Sequence, residues 1–87
     1  MFIHIGGDTM VSCKEVIGIF DINSANSPGT SEFLKRCEER LGVEVVEVGE
    51  IKSFIVTDRK LYYSPISSLT LKKRAEQFET GRLAEET

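Results

Sequence analysis

Phe54-Ile55-Val56-Thr57-Asp58-Arg59-Lys60-Leu61-Tyr62-Tyr63-Ser64-Pro65 is the stretch that decides the fold. Phe54–Thr57 and Leu61–Ser64 are each too short, and too rich in β-branched and aromatic side chains, to favour helix. The connection Asp58-Arg59-Lys60 is brief, which predicts a hairpin with a basic pair on its turn. Pro65 lacks an amide donor and closes the second strand. Upstream, Val43-Glu44-Val45-Val46-Glu47-Val48 reads as another β-branched strand, with Gly49 as the break after it. At the amino end Phe2-Ile3-His4-Ile5 alternates, Gly6-Gly7-Asp8 tolerates positive φ, and Thr9-Met10-Val11 resumes an extended pattern, which predicts a second hairpin.

Helices are expected between and after these strands. Ser12-Cys13-Lys14-Glu15 matches a capping box and predicts a short helix carrying Val16, Ile17, Ile19 and Phe20, weakened by about 1 kcal/mol at Gly18. Asp21 to Gly29 has the Asn, Ser, Pro and Gly content of a surface loop. Thr30 or Ser31 caps a second helix with Phe33, Leu34, Cys37 and Leu41 on one stripe, and Gly42 is expected to end it in the left-handed region. Lys35, Arg36, Glu38, Glu39 and Arg40 then form a solvated face. Ser67 or Ser68 caps a terminal helix whose Leu71, Ala75 and Phe78 face inward. The expected class is α+β: a small antiparallel sheet of about four to five strands with two to three helices. Residues 1–80 form one compact domain, and 81–87 an acidic tail that frays.

Composition narrows the function classes. The chain has 87 residues, 40% hydrophobic and 29% charged, with a net charge of −3. These values suit a folded globular domain. No apolar run approaches the roughly 20 residues that cross a bilayer, and no basic region precedes an apolar one, so a cytoplasmic protein with no membrane partner is expected. Cys13 and Cys37, at apolar positions of the expected helices, read as small buried hydrophobes in a reducing compartment. His4 is the lone histidine and has no cysteine near it, so no metal site is expected. There is no Cys-x-x-Cys pair and no phosphate-binding loop, and Gly6-Gly7-Asp8 lacks the spacing and helix entry of a nucleotide loop. With no nucleophile, base and orienting group to name, the expectation is no cofactor, no catalytic residue and no enzyme.

Charge, in contrast, is sorted along the chain. From Arg59 to Ala75 there is no acid, while Arg59, Lys60, Lys72, Lys73 and Arg74 contribute +5; with the whole chain at −3, the remainder carries −8. Such a segment offers a polyanion an attractive face on an acidic protein. Three adjacent basic residues on a helix also serve solubility alone, with bearings spread over about 200°.

The opening Phe2-Ile3-His4-Ile5-Gly6 with Val11-Ser12, the later Phe54-Ile55-Val56-Thr57-Asp58, and SPISSLTLKKRA from Ser64 to Ala75 resemble the bacterial extracellular-matrix regulator (Rem) family. The resemblance covers roughly the first seventy-five residues and is nearest the branch with the Gly-Gly-Asp turn and the Ser-Pro-Ile-Ser-Ser ending. It implies a transcriptional regulator that binds duplex DNA and assembles into a homo-oligomeric ring, controlling extracellular-matrix or biofilm genes. The expected phosphate contacts are Lys14, Lys52, Arg59, Lys60, Lys72, Lys73 and Arg74. Better-studied members resemble this chain around Glu15 and Gly49-Glu50 but carry DNA-contacting arginines there. Lys14 and Lys52 stand next to those positions, and Glu44, Glu47 and Glu50 repel phosphate. A second expectation follows from the missing arginines: an interaction module that modulates a paralogous DNA-binding regulator.

Overall fold

The computed structural model describes residues 1–76. Its strands are β1 (Phe2–Gly6), β2 (Thr9–Ser12), β3 (Val16–Asp21), β4 (Gly42–Val45), β5 (Ser53–Thr57) and β6 (Lys60–Ser64). A 3-10 helix spans Ile22–Asn26, α1 spans Pro28–Arg40, and residues 68–76 are helical and are called α2. The class is α+β.

β1 and β2 form a two-stranded sheet; the other four strands form a sheet in the order β3-β5-β6-β4. β5 and β6 pair antiparallel, with Phe54 opposite Tyr63 and Ile55 opposite Tyr62, as their composition predicts. β5 is buried along its whole length because strands flank it and layers cover both its faces. Side chains alternate across a strand, so Phe54, Val56 and Leu61 meet Leu34 and Cys37 of α1, while Ile55 points the other way, to Ile3, Ile5, Val11 and Leu71. The molecule is thus a central sheet with α1 on one face and the amino-terminal hairpin plus α2 on the other.

Gly6 and Gly7, with φ of 125° and 50°, make the turn of that hairpin, as their permissiveness leads one to expect. A side chain is doubly disfavoured at Gly7, since its Cβ would lie 3.2 Å from the Val46 carbonyl oxygen. Ser64 clamps the hairpin to the sheet: its hydroxyl donates to the Ile5 carbonyl at 2.6 Å and accepts from the Ile66 amide at 3.0 Å.

Several local expectations fail for identifiable reasons. Ser12 opens no helix. The Glu15 amide bonds to the Ser12 carbonyl and the Lys14 amide to the Ser12 hydroxyl, closing a turn that leads into β3. The β-branched Val16 and Ile19 are instead used in pairing with β5, a ladder worth more than the isolated cap, and Ile17 falls at a bulge between Val16 and Gly18. Cys13 therefore sits in a turn, half-buried against the core, whereas Cys37 is buried in α1 as expected. The Asp21–Gly29 loop contains the 3-10 helix, begun by Asp21 accepting from the Asn23 amide, and α1 starts at Pro28 rather than after Thr30. Proline at the first position of a helix loses no bond. Gly42 is not left-handed; it begins β4, which stops at Val45 and runs parallel to β6. Gly49, at φ 145°, does mark a break. Phe78 and the 81–87 tail lie outside the described residues.

Candidate nucleic-acid interface

The seven predicted cations fall into three places. Lys14 stands on the turn between β2 and β3, and Arg59 and Lys60 at the β5–β6 turn. These turns touch, because the Asp58 amide donates to the Glu15 carbonyl. Lys52 is at the other end of β5, where its amide bonds to the Ser64 carbonyl. Lys72, Lys73 and Arg74 are on α2, beyond the far end of β6, a strand roughly 13 Å long. The five cations of the acid-free segment therefore form no single strip.

Charge balance separates the groups. Around Lys14, Arg59 and Lys60 stand Glu15, Asp58 and Glu44, and Lys60 is engaged: its Nζ is 3.0 Å from Glu44 Oε1. That hydrogen bond, with the attraction of the same carboxylate, holds the Lys60 ammonium above its usual pKa. Lys52 shares an open polar hollow with Asp21, Asn23 and Glu50. Neither place is strongly cationic.

α2 is different. Ser67 caps it by accepting from the Thr70 amide at 3.2 Å, as the sequence suggested, and its carbonyl accepts from the Leu71 amide. Leu71 is buried and Ala75 packs against the same core cluster. At about 100° per residue this aims Lys73 straight outward, with Lys72 and Arg74 on its two flanks. Lys72 and Lys73 are exposed. Arg74 is half-buried and donates from a guanidinium nitrogen to the His4 carbonyl at 2.7 Å, so it fixes α2 on β1. Glu76, exposed at the end of the described helix, stands one turn from Lys72 and Lys73, so α2 carries three cations against one acid, the largest positive excess of the three places.

Two features were missed in the sequence. The Arg74–His4 bond joins residues far apart in the chain and leaves no local signal. Arg36 and Arg40, taken as a solvated face, line an open hollow of about 320 Å³ with Ile17, Phe33 and Cys37. The spacing of Phe33, Arg36, Cys37 and Arg40 at i, i+3, i+4 and i+7 was the available sign of a shared helix side. Burial, then the Glu38 carboxylate, holds the Cys37 thiol above its usual range; burial, then Glu38, does the same to the Tyr63 phenol.

The fold gives the class: a small α+β domain that sets three cations on a capped helix. Comparison with known proteins makes it particular. Residues 2–75 match the RemA-like family, described as Extracellular matrix regulatory protein A-like. The chain is also 46% identical over 76 residues to Extracellular matrix regulatory protein B of Bacillus subtilis (strain 168), covering 87% of this chain and 91% of that protein. The chain belongs to the RemA-like family of extracellular-matrix regulatory proteins. No helix among the described residues is long and apolar enough to cross a membrane.

Proposed function

We propose that this protein is a non-enzymatic, cytoplasmic regulator of the transcription of extracellular-matrix or biofilm genes, which binds duplex DNA through its phosphates as a homo-oligomeric ring. The observation that carries this reading is the positive excess of α2, where Lys72 and Lys73 meet solvent and Arg74 braces the helix against β1, with Glu76 the one acid among its described residues. Family membership supports the regulatory half.

Phosphate contacts position a protein on a duplex without reading bases, and each one weakens as salt rises. Two or three such contacts from one small subunit hold DNA feebly. Repeating them around an assembly multiplies them through effective concentration. Lys14, Lys52 and Arg59 add to the surface, while Lys60 must first leave Glu44. Replacing Lys72 and Lys73 with alanine tests the reading. The double variant is expected to keep its fold, since both side chains are exposed, and to lose at least ten-fold in DNA affinity at low salt. Unchanged affinity would overturn the role of α2.

A second reading is favoured by the engagement of Lys60 and Arg74 and by the carboxylates Glu15 and Glu50, which stand beside the expected contacts Lys14 and Lys52 and repel phosphate. In that reading the protein modulates a paralogous DNA-binding regulator without holding DNA itself. Adding it to that regulator on DNA would then change the regulator's affinity, while the protein alone would give no binding.

A further inference from the structure

α1 covers only the middle of its face of the four-stranded sheet. It packs on Phe54, Val56 and Leu61 of the two central strands and leaves both flanks of that face open. On the β3 side lies the open hollow of Ile17 and Phe33, which are 67% and 41% exposed, rimmed by Arg36 and Arg40 against the single carboxylate of Asp58. Ile17 stands out there because the β3–β5 register shifts between Val16 and Gly18. On the β4 side, Val43 opposes Leu61 and Val45 opposes Tyr63, so both valines point to the α1 face, yet they are 47% and 55% exposed. That flank is rimmed by Glu38, beside Tyr63, and is followed in the chain by exposed Glu47.

We infer that these two flanks bind each other between copies of this chain: Val43 and Val45 of one copy cover Ile17 and Phe33 of the next, and Arg36 and Arg40 face Glu38 and Glu47. The inference rests on the homo-oligomeric reading above and names the surfaces that would build it. Charge selects the occupant. Each flank repels a second copy of itself, two arginines against two arginines or two glutamates against two glutamates, and attracts the opposite flank. Apolar contact supplies the affinity, and the charges fix the direction. Because β3 and β4 are opposite edges of one sheet, the contact is head-to-tail, the kind that generates rings when the rotation closes and open filaments when it does not. It also covers apolar side chains that a monomer leaves in water.

Charge reversal with rescue tests it. The full chain carrying Arg36→Glu and Arg40→Glu, and separately Glu38→Lys and Glu47→Lys, is measured by light scattering beside the wild type, with circular dichroism as a check on folding. Each variant alone is expected to scatter as a monomer at concentrations where the wild type is assembled. Mixed in equal amounts they should assemble again to a mass well above the monomer, since each then meets an opposite charge on both flanks and the two kinds alternate. Ile17→Ser, at an exposed position, provides an independent variant should a reversed one fail to fold, and should also lose mass. A monomeric wild type, reversed variants that keep the wild-type mass, a mixture of folded variants that stays monomeric, or an Ile17→Ser variant of unchanged mass would each overturn the interface. Assembly through these flanks without DNA binding would leave the interface standing and remove the DNA reading; DNA binding with reversed variants still assembled would do the opposite.

Discussion

The Lys60 ammonium already has a partner, Glu44 at 3.0 Å, so a phosphate there has to displace a carboxylate. Replacing Glu44 with glutamine is expected to strengthen DNA binding at low salt and to steepen its salt dependence by roughly 0.9 in log–log slope for each lysine that gains a phosphate. The pair is solvent-exposed, so the melting temperature should hardly move. An unchanged salt slope would show that Lys60 stays outside the DNA contact. Cys37 makes a different case. Its proton is held more tightly in the folded chain than in the unfolded one, chiefly by burial. The resulting contribution to stability is whole below the ordinary thiol pKa of 9.0 and is lost as pH rises through the raised folded value. Alkylation of the native protein at pH 8 should therefore reach Cys13, half-buried on its turn, well before Cys37; equal rates would contradict the packing of α1 on β5.

Among the elements, the hairpin β1–β2 is held to the sheet by its buried Ile3, Ile5 and Val11 and by one hydroxyl. Ser64 is buried, donates to Ile5 and accepts from Ile66, so Ser64→Ala takes this partner from a buried carbonyl and a partly buried amide. The expected loss is about 1–3 kcal/mol in chemical denaturation, and a loss under a few tenths would mean the hairpin is held by its apolar side chains alone. At Gly18 an added Cβ would come within 2.6 Å of the Phe20 ring, so Gly18→Ala should also destabilise, by roughly 1–3 kcal/mol. That glycine shows why β3 was illegible. Ser12 to Glu15 carry a correct helix-start pattern, and nothing local reveals that Val16–Asp21 will find β5, more than thirty residues later. The β5–β6 and β1–β2 hairpins were legible because turn chemistry and strand composition sit side by side. The parallel pairing of β4 with β6 was not, because a crossover leaves no short-range mark.

For the whole molecule, charge sorting along the chain only partly becomes charge sorting in space. The residues Arg59 to Ala75 contain no acid, but folding sets Arg59 and Lys60 among Glu15, Asp58 and Glu44, and α2 keeps the largest positive excess, three cations against Glu76. The identities of the candidate cations could be listed from the sequence, whereas their partners could not, since Lys60–Glu44 and Arg74–His4 are contacts of folding. Arg74→Ala should accordingly act twice, loosening α2 and lowering DNA affinity, while Arg74→Lys restores charge but not the planar reach to the His4 carbonyl. A variant that loses neither stability nor affinity would detach α2 from both roles. The most direct measurement is a titration of the full chain against duplex DNA by fluorescence anisotropy across a series of salt concentrations. The expected result is binding at low salt whose logarithmic affinity falls linearly with the logarithm of salt; no binding at low salt, or binding that salt leaves unchanged, would contradict phosphate-directed contact.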